Sequence, residues 1–258
     1  MSATSAPVPF LRLGNTTAPR RRLFCLPFAG GGAAPFRPWA RTLPPDVELM
    51  VAQLPGRESR LRDRPFDAIE EMASAVLPTI VALSEVPYAI FGHSMGALVA
   101  FELTLALEDA GVRPPSHLFV SSRRSPCEPD AEPPVHVLSG DAFLDELQRR
   151  YGAIPDVVRQ EPELLELLLP VLRADIRAVE RYASSGERKV RCPVCVYGGA
   201  DDRRPTPAQL AGWQRVAERE VRVRVFAGDH FYLNTQRDAL TADIVASWAN
   251  AAEPVECA

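Results

Sequence analysis

The stretch Phe91-Gly92-His93-Ser94-Met95-Gly96 constrains this chain more tightly than any other. Tyr88-Ala89-Ile90-Phe91 before it is an apolar run of strand length. Ala97 to Ala110 after it is rich in Ala, Leu and Glu and lacks Gly and Pro, so it reads as a helix. Ser94 therefore stands at the apex of a strand–turn–helix. It is flanked by two glycines in the G-x-S-x-G pattern, where a missing Cβ lets strand and helix approach closely. Such a turn lifts the Ser94 hydroxyl clear of a sheet and aims the Met95 N–H at the same point. The helix N-terminus adds partial positive charge there, which favours a developing anion. Ser94 is the candidate nucleophile, and the rest of the chain has to supply a base, an orienting acid and a second oxyanion donor.

The 258 residues, 47% hydrophobic and 24% charged, suit one large domain with a sizeable core. A net charge of −4 gives no footprint for nucleic acid or an anionic membrane. No apolar run reaches transmembrane length, and Met1 to Pro9 lacks the layout of a signal peptide, so a cytoplasmic protein is the expectation. Five dispersed cysteines do not make a disulfide framework. Cys192-Pro193-Val194-Cys195 has C-x-x-C spacing but no second pair, and reads as part of an apolar strand rather than a metal or redox site.

Further strands are expected at Pro9–Leu13 (an edge), Leu23–Leu26, Val47–Leu54, His117–Ser121, Cys192–Tyr197 and Val221–Phe226, the last with alternating arginines facing solvent. Arg20-Arg21-Arg22 reads as a solvated run. Helices are expected at Pro35–Thr42, Phe66–Leu83, Pro207–Glu218 and Leu240–Ala251. Between the fourth and fifth parallel strands lies Ser125–Pro134, with four prolines, read as an exposed linker. Two helices follow it, Asp141–Tyr151 and the Leu-rich Glu161–Tyr182. This alternation predicts an α/β fold with one mostly parallel, doubly wound sheet. The expected division is a core of residues 1–125 and 186–258 with a helical lid at 126–185, whose Leu-rich helix either joins the core or lines a pocket for an apolar chain.

In open α/β sheets, sites form at the carboxyl ends of strands. Ser94, the Asp201-Asp202 pair and His230 each follow a predicted strand, in the order Ser, Asp, His of the α/β-hydrolase fold. Of the four histidines, His93 lies inside the elbow, His117 begins a strand and His136 lies by the linker, which leaves His230 as the base. Asp202 is preferred as the acid, with Asp201 and, less well placed, Asp229 as alternatives. The Gly-rich loop Pro27-Phe28-Ala29-Gly30-Gly31-Gly32 offers free N–H groups without the Lys-Ser/Thr ending of a phosphate-binding loop. Its Ala29, or else Phe28, is the candidate second oxyanion donor beside Met95. This set would run acyl transfer to water through an acyl-enzyme with no metal or organic cofactor. A carboxylesterase, a lipase or an acyltransferase would use the same triad.

Leu26-Pro27-Phe28-Ala29-Gly30-Gly31-Gly32, Phe36-Arg37-Pro38-Trp39, Leu54-Pro55-Gly56-Arg57-Glu58-Ser59-Arg60, Gly92-His93-Ser94-Met95-Gly96-Ala97 and Gly228-Asp229-His230-Phe231 resemble segments of type II thioesterases, the stand-alone editing enzymes of polyketide synthases and nonribosomal peptide synthetases. The acid loop Asp202-Arg203-Arg204-Pro205 departs from the family's usual Asp-Pro. The resemblance implies hydrolysis of acyl groups from the phosphopantetheine arm of acyl or peptidyl carrier proteins, by a monomer, with the lid gating the arm. It also offers Arg57 to Arg64, or Arg123-Arg124, as a meeting point for phosphate or an acidic carrier surface.

Overall fold

Leu23, Phe24, Cys25 and Leu26 are all fully buried, because their strand is covered on both faces. Phe24 and Leu26 point into one core layer with Ile90, Met72 and Val76, whereas Leu23 and Cys25 join Phe91, Trp39, Leu240 and Ile244 on the other. The alternation of strand side chains thus fills two hydrophobic layers with one apolar run. In the computed structural model, which describes residues 9–130, 132–152 and 161–250, the same holds along the central strands.

The strands are β1 (Phe10–Leu13), β2 (Arg21–Leu26), β3 (Val47–Ala52), β4 (Tyr88–His93), β5 (Leu118–Ser121), β6 (Val194–Gly199) and β7 (Arg222–Phe226). They form one sheet in the order β1-β3-β2-β4-β5-β6-β7, with β1 antiparallel to β3 and every other pair parallel. The α-helices are α1 (Ile69–Ala82), α2 (Met95–Asp109), α3 (Gly140–Tyr151), α4 (Pro162–Arg181), α5 (Pro207–Leu210), α6 (Tyr232–Thr235) and α7 (Arg237–Asn250). Helix α2 is buried on nearly all sides, which explains its low share of polar residues. The expected α/β fold with a mostly parallel sheet is what the chain adopts. None of the described helices is long and apolar enough to cross a membrane. Residues 1–8, Ala131, Ala251 and Cys257, which entered the expectations above, lie outside the described residues.

Three local expectations need correction. The helix expected over Pro207–Glu218 is a single turn, α5, followed by 3₁₀ turns over Ala211–Val216. On β7 all of Arg222 to Val225 are exposed, the arginine side chains at 48% and 43%, so the expected solvated face is present and Arg222 and Arg224 pair on it with Asp243 of α7. The charged face is held because a helix carboxylate meets it. Arg22 is buried and not solvated, its guanidinium bonded to Glu48 at 2.6 Å and to Glu85 at 2.6 Å. The linker is exposed only in part: Ser125 and Pro126 are buried, and Trp213 donates its indole N–H to the Arg123 carbonyl at 2.7 Å beside them.

Two buried histidines make the fold sensitive to acid. Burial pushes His117 down to about 4, helped by Arg219, and holds His93 well below the ordinary value, helped by His230. Both folded values lie below the unfolded value of 6.5, so the stability tied to the neutral rings is complete above that pH. It is lost as pH falls through the folded values. Each ring contributes a slope of about 1.4 kcal/mol per pH unit below pH 6.5. Urea unfolding at pH 7.5 and 5.5 should show a lower midpoint in acid, and His117→Gln should halve the difference. Equal midpoints at the two pH values would refute the assignment.

Candidate active site

Ser94 adopts φ 53° and ψ −112°, a strained conformation for a residue with a Cβ. The two glycines around it are what make this turn possible. A Cβ on Gly92 would stand 2.1 Å from the Gly96 carbonyl oxygen, and one on Gly96 would stand 2.1 Å from that of Leu26. The elbow is therefore locked against both α2 and β2. Ser94 donates its N–H to Ser121 of β5 at 2.8 Å, which fixes the apex over the strand ends. Met95 is the first residue of α2, where helix geometry leaves the N–H without an intrahelical acceptor.

His230 follows β7 and Asp202 follows β6, and both are buried. His230 Nδ1 lies 3.0 Å from Asp202 Oδ2. The other Asp202 oxygen accepts the Arg204 N–H at 2.9 Å, so the carboxylate is oriented from its own loop. Asp201 is exposed, and Asp229 accepts the Phe231 N–H at 2.8 Å instead of meeting His230. His93 sits beneath the site with its ring 5.3 Å from that of His230, and its Nδ1 lies 2.9 Å from the Ser121 hydroxyl. The Ser121 hydroxyl in turn lies 2.7 Å from that of Tyr232. This buried polar chain packs against the underside of the His230 loop.

Ser94, His230 and Ala29 line one small cavity of about 30 Å³. Gly30 and Gly31 of the Gly-rich loop have committed N–H groups, to Asp175 Oδ2 at 2.7 Å and to the Phe28 carbonyl at 2.8 Å. No acceptor among the described residues takes the Ala29 N–H. Phe28 instead contributes its ring, packed edge-on against His93 and Phe231 at 5.7 and 5.0 Å.

The roof of the cavity comes from the two helices inserted between β5 and β6. Leu147 and Tyr151 of α3 and Leu172, Ile176 and Val179 of α4 face it, and the Tyr151 ring lies 5.2 Å from that of His230. One face of the Leu-rich helix thus lines the pocket, while Leu164 and Leu167 are exposed. Sequence patterning gave no reason to single out Tyr151, whose importance comes from a contact across the fold.

Arg57 is only 4% exposed, which removes it as a docking residue. Its guanidinium makes two bonds of 2.9 Å to the Asp175 carboxylate of α4 and one of 3.2 Å to the Gly31 carbonyl. Burial pushes the Asp175 carboxyl above its ordinary value, opposed by Arg57 and by the Gly30 N–H. Arg60 pairs with Asp63 and Arg124 with Asp130, so of these arginines only Arg62 and Arg64 are exposed.

A thioesterase-domain family model matches residues 21–248, nearly the whole described chain. The chain belongs to the thioesterase family. It is a thioester hydrolase of the serine-hydrolase type with the α/β-hydrolase fold. Among thioesterase relatives, it is 37% identical over 224 residues to the gramicidin S biosynthesis protein GrsT of Aneurinibacillus migulanus, covering 87% of each chain. The type II thioesterase BorB from the borrelidin cluster superposes with a TM-score of 0.83 at 35% identity, over 95% of this chain and 100% of that one. The type II thioesterase YbtT from the yersiniabactin NRPS/PKS pathway does so at 0.84 and 29% identity, over 95% and 99%.

Proposed function

We propose that this thioesterase is a type II enzyme that hydrolyses acyl thioesters on the phosphopantetheine arm of carrier proteins, clearing stalled or misprimed chains in a polyketide or nonribosomal peptide pathway. The observation that carries this is the His230–Asp202 bond placed in the same cavity as Ser94 and Ala29. The type II relatives supply the substrate class. Residues 126–185 act as a lid on a single hydrolase domain that works as a monomer.

The chemistry follows from the geometry. His230 takes the Ser94 hydroxyl proton as Oγ attacks the thioester carbon, and Asp202 stabilises the imidazolium through Nδ1. The N–H groups of Met95 and Ala29 hold the oxyanion, a contribution of about 3–4 kcal/mol for a single donor. Collapse of the tetrahedral intermediate expels the thiolate of the arm, which takes the proton from His230 and leaves an acyl-Ser94 ester. A water molecule, deprotonated by His230, then attacks that ester. It releases the carboxylic acid and returns the proton to Ser94. The cavity of about 30 Å³ holds little more than one water molecule, so α3 and α4 have to part before an acyl group enters.

The test is intact-mass spectrometry of carrier proteins loaded with a panel of acyl groups, before and after incubation with the enzyme. Loss of the acyl mass with return of the free arm thiol is the expected result. Faster cleavage of an oxygen ester than of the matching acyl-pantetheine thioester would instead identify a carboxylesterase. An ester or amide product on addition of an alcohol or amine would identify an acyltransferase.

A further inference from the structure

Among the described residues, Arg123 is the candidate arginine that is buried without a counter-charge bonded to it. It stands two residues past β5, in a segment held by one backbone bond and one side-chain bond. Ser122, at φ 48°, donates its N–H to the Tyr197 carbonyl at 2.9 Å, and the Arg123 carbonyl accepts from Trp213. A positive φ at a residue with a Cβ is strain, and strain of this kind collects where a side chain has to be presented in one direction. The residue is 8% exposed. Its Nε is buried without a hydrogen-bond partner, and no acceptor among the described residues takes a bond from its guanidinium. The carboxylate whose charge reaches it, Asp130, is engaged by Arg124 at 2.9 Å and by Arg204. Burial and the like charges of Arg124 and Arg204 push the Arg123 guanidinium down to about 10, which still leaves it a cation at neutral pH.

An unpartnered cation inside a protein is costly unless something completes it. Arg123 lines the cavity of Ser94 and His230, and it also lines a second cavity of about 450 Å³ between the linker and α4. Val179 is likewise common to both, so the two chambers adjoin at these two residues. A guanidinium placed there offers several N–H donors to whatever extends beyond the thioester carbonyl.

We propose that Arg123 forms an acceptor-oxygen subsite of the acyl chamber, binding a carbonyl or carboxylate oxygen on the third acyl carbon and so favouring β-oxygenated acyl thioesters over alkyl ones. This rests on the thioester-hydrolase reading and adds a specificity determinant to it. The same cation disfavours acyl groups that carry an ammonium in that position.

Three pantetheine thioesters with the same heavy-atom skeleton test the subsite: 3-oxobutanoyl, malonyl and 3-methylbutanoyl. The readout is the ratio of kcat/KM for each oxygenated thioester to that of 3-methylbutanoyl, divided by the same ratio for uncatalysed hydrolysis so that intrinsic reactivity cancels. A hydrogen bond to a charged group corresponds to about tenfold or more, so at least one ratio should reach that value in the wild type. Arg123→Met should bring the ratios to within about twofold of one, and Arg123→Lys should fall between. A malonyl ratio above the 3-oxobutanoyl ratio identifies a carboxylate site, and the reverse order a carbonyl site. Wild-type ratios near one, or ratios unchanged in Arg123→Met, overturn the proposal. The wild-type ratios decide even if the Met variant were to misfold, although removing an uncompensated buried charge should hold or raise its thermal midpoint. Hydrolysis of none of the three would remove the proposed function itself; hydrolysis of all three at equal rates would remove only the subsite.

Discussion

Ser94→Ala should reduce kcat for acyl-pantetheine hydrolysis on the order of 10⁵- to 10⁶-fold, the scale found when the nucleophile of a Ser-His-Asp set is removed. What remains should come from the oxyanion donors, which the substitution leaves in place. Intact-mass spectra give a second readout. The wild type, quenched during turnover, should carry the added acyl mass, and Ser94→Ala should not. The geometry also predicts a change that no contact list would show. At φ 53° alanine is as strained as serine, whereas glycine is not. Ser94→Gly should therefore be equally inactive yet more stable than Ser94→Ala by about 1 kcal/mol in urea unfolding. Activity retained in Ser94→Ala would remove the catalytic scheme, and a Gly variant less stable than the Ala one would contradict the strain.

Asp175→Ala should be among the most destabilising single changes available. It leaves the Arg57 guanidinium buried without its counter-charge, for which losses of about 3–5 kcal/mol are expected. It also frees the Gly30 N–H, so the Ala29–Gly30 segment loses its anchor beside the nucleophile. A displacement of about 1 Å there lowers catalysis on the order of 100-fold. The pair Arg57→Met and Asp175→Leu should regain much of the stability, because neither charge is then left alone, but not the activity, because Gly30 still lacks its acceptor. A denaturation midpoint for Asp175→Ala equal to that of the wild type would show that the pair contributes nothing.

Local chemistry is legible along this chain, whereas contacts made across the fold are not. The elbow was legible because its parts are local: two glycines, a serine, and the strand and helix that they join. His230 emerged by elimination, and the order of Ser94, Asp202 and His230 placed each at a strand end. The choice between Asp202 and Asp201 turned on which residue of a loop faces inward, and adjacent residues in a turn have no periodicity to say so. Arg57 was misread for a deeper reason. Grouped with Arg60, Arg62 and Arg64, it reads as part of a meeting point for phosphate or an acidic carrier surface, because its partner lies 118 residues away on α4. Arg123 was paired with Arg124 as a surface patch, yet one is buried and the other bound to Asp130. On β7 the alternation of Val and Arg marks a solvated face correctly, but it does not say that Asp243 of α7 meets the arginines there. Charged residues are legible by location only when their counter-charges are near in sequence.

The bond between Asp175 and the Gly30 N–H ties the roof of the chamber to the loop that polarises the substrate. A movement of α4 large enough to break it releases that loop at the same moment. An acyl group too bulky for the roof to settle over it thus meets a serine whose electrostatic support is disassembled, whereas a short one permits both to re-form together. Size selection in such an enzyme need not come from exclusion at the door. It can operate as an interlock, in which a long intermediate is admitted, fails to complete the machinery around its own carbonyl, and leaves uncut.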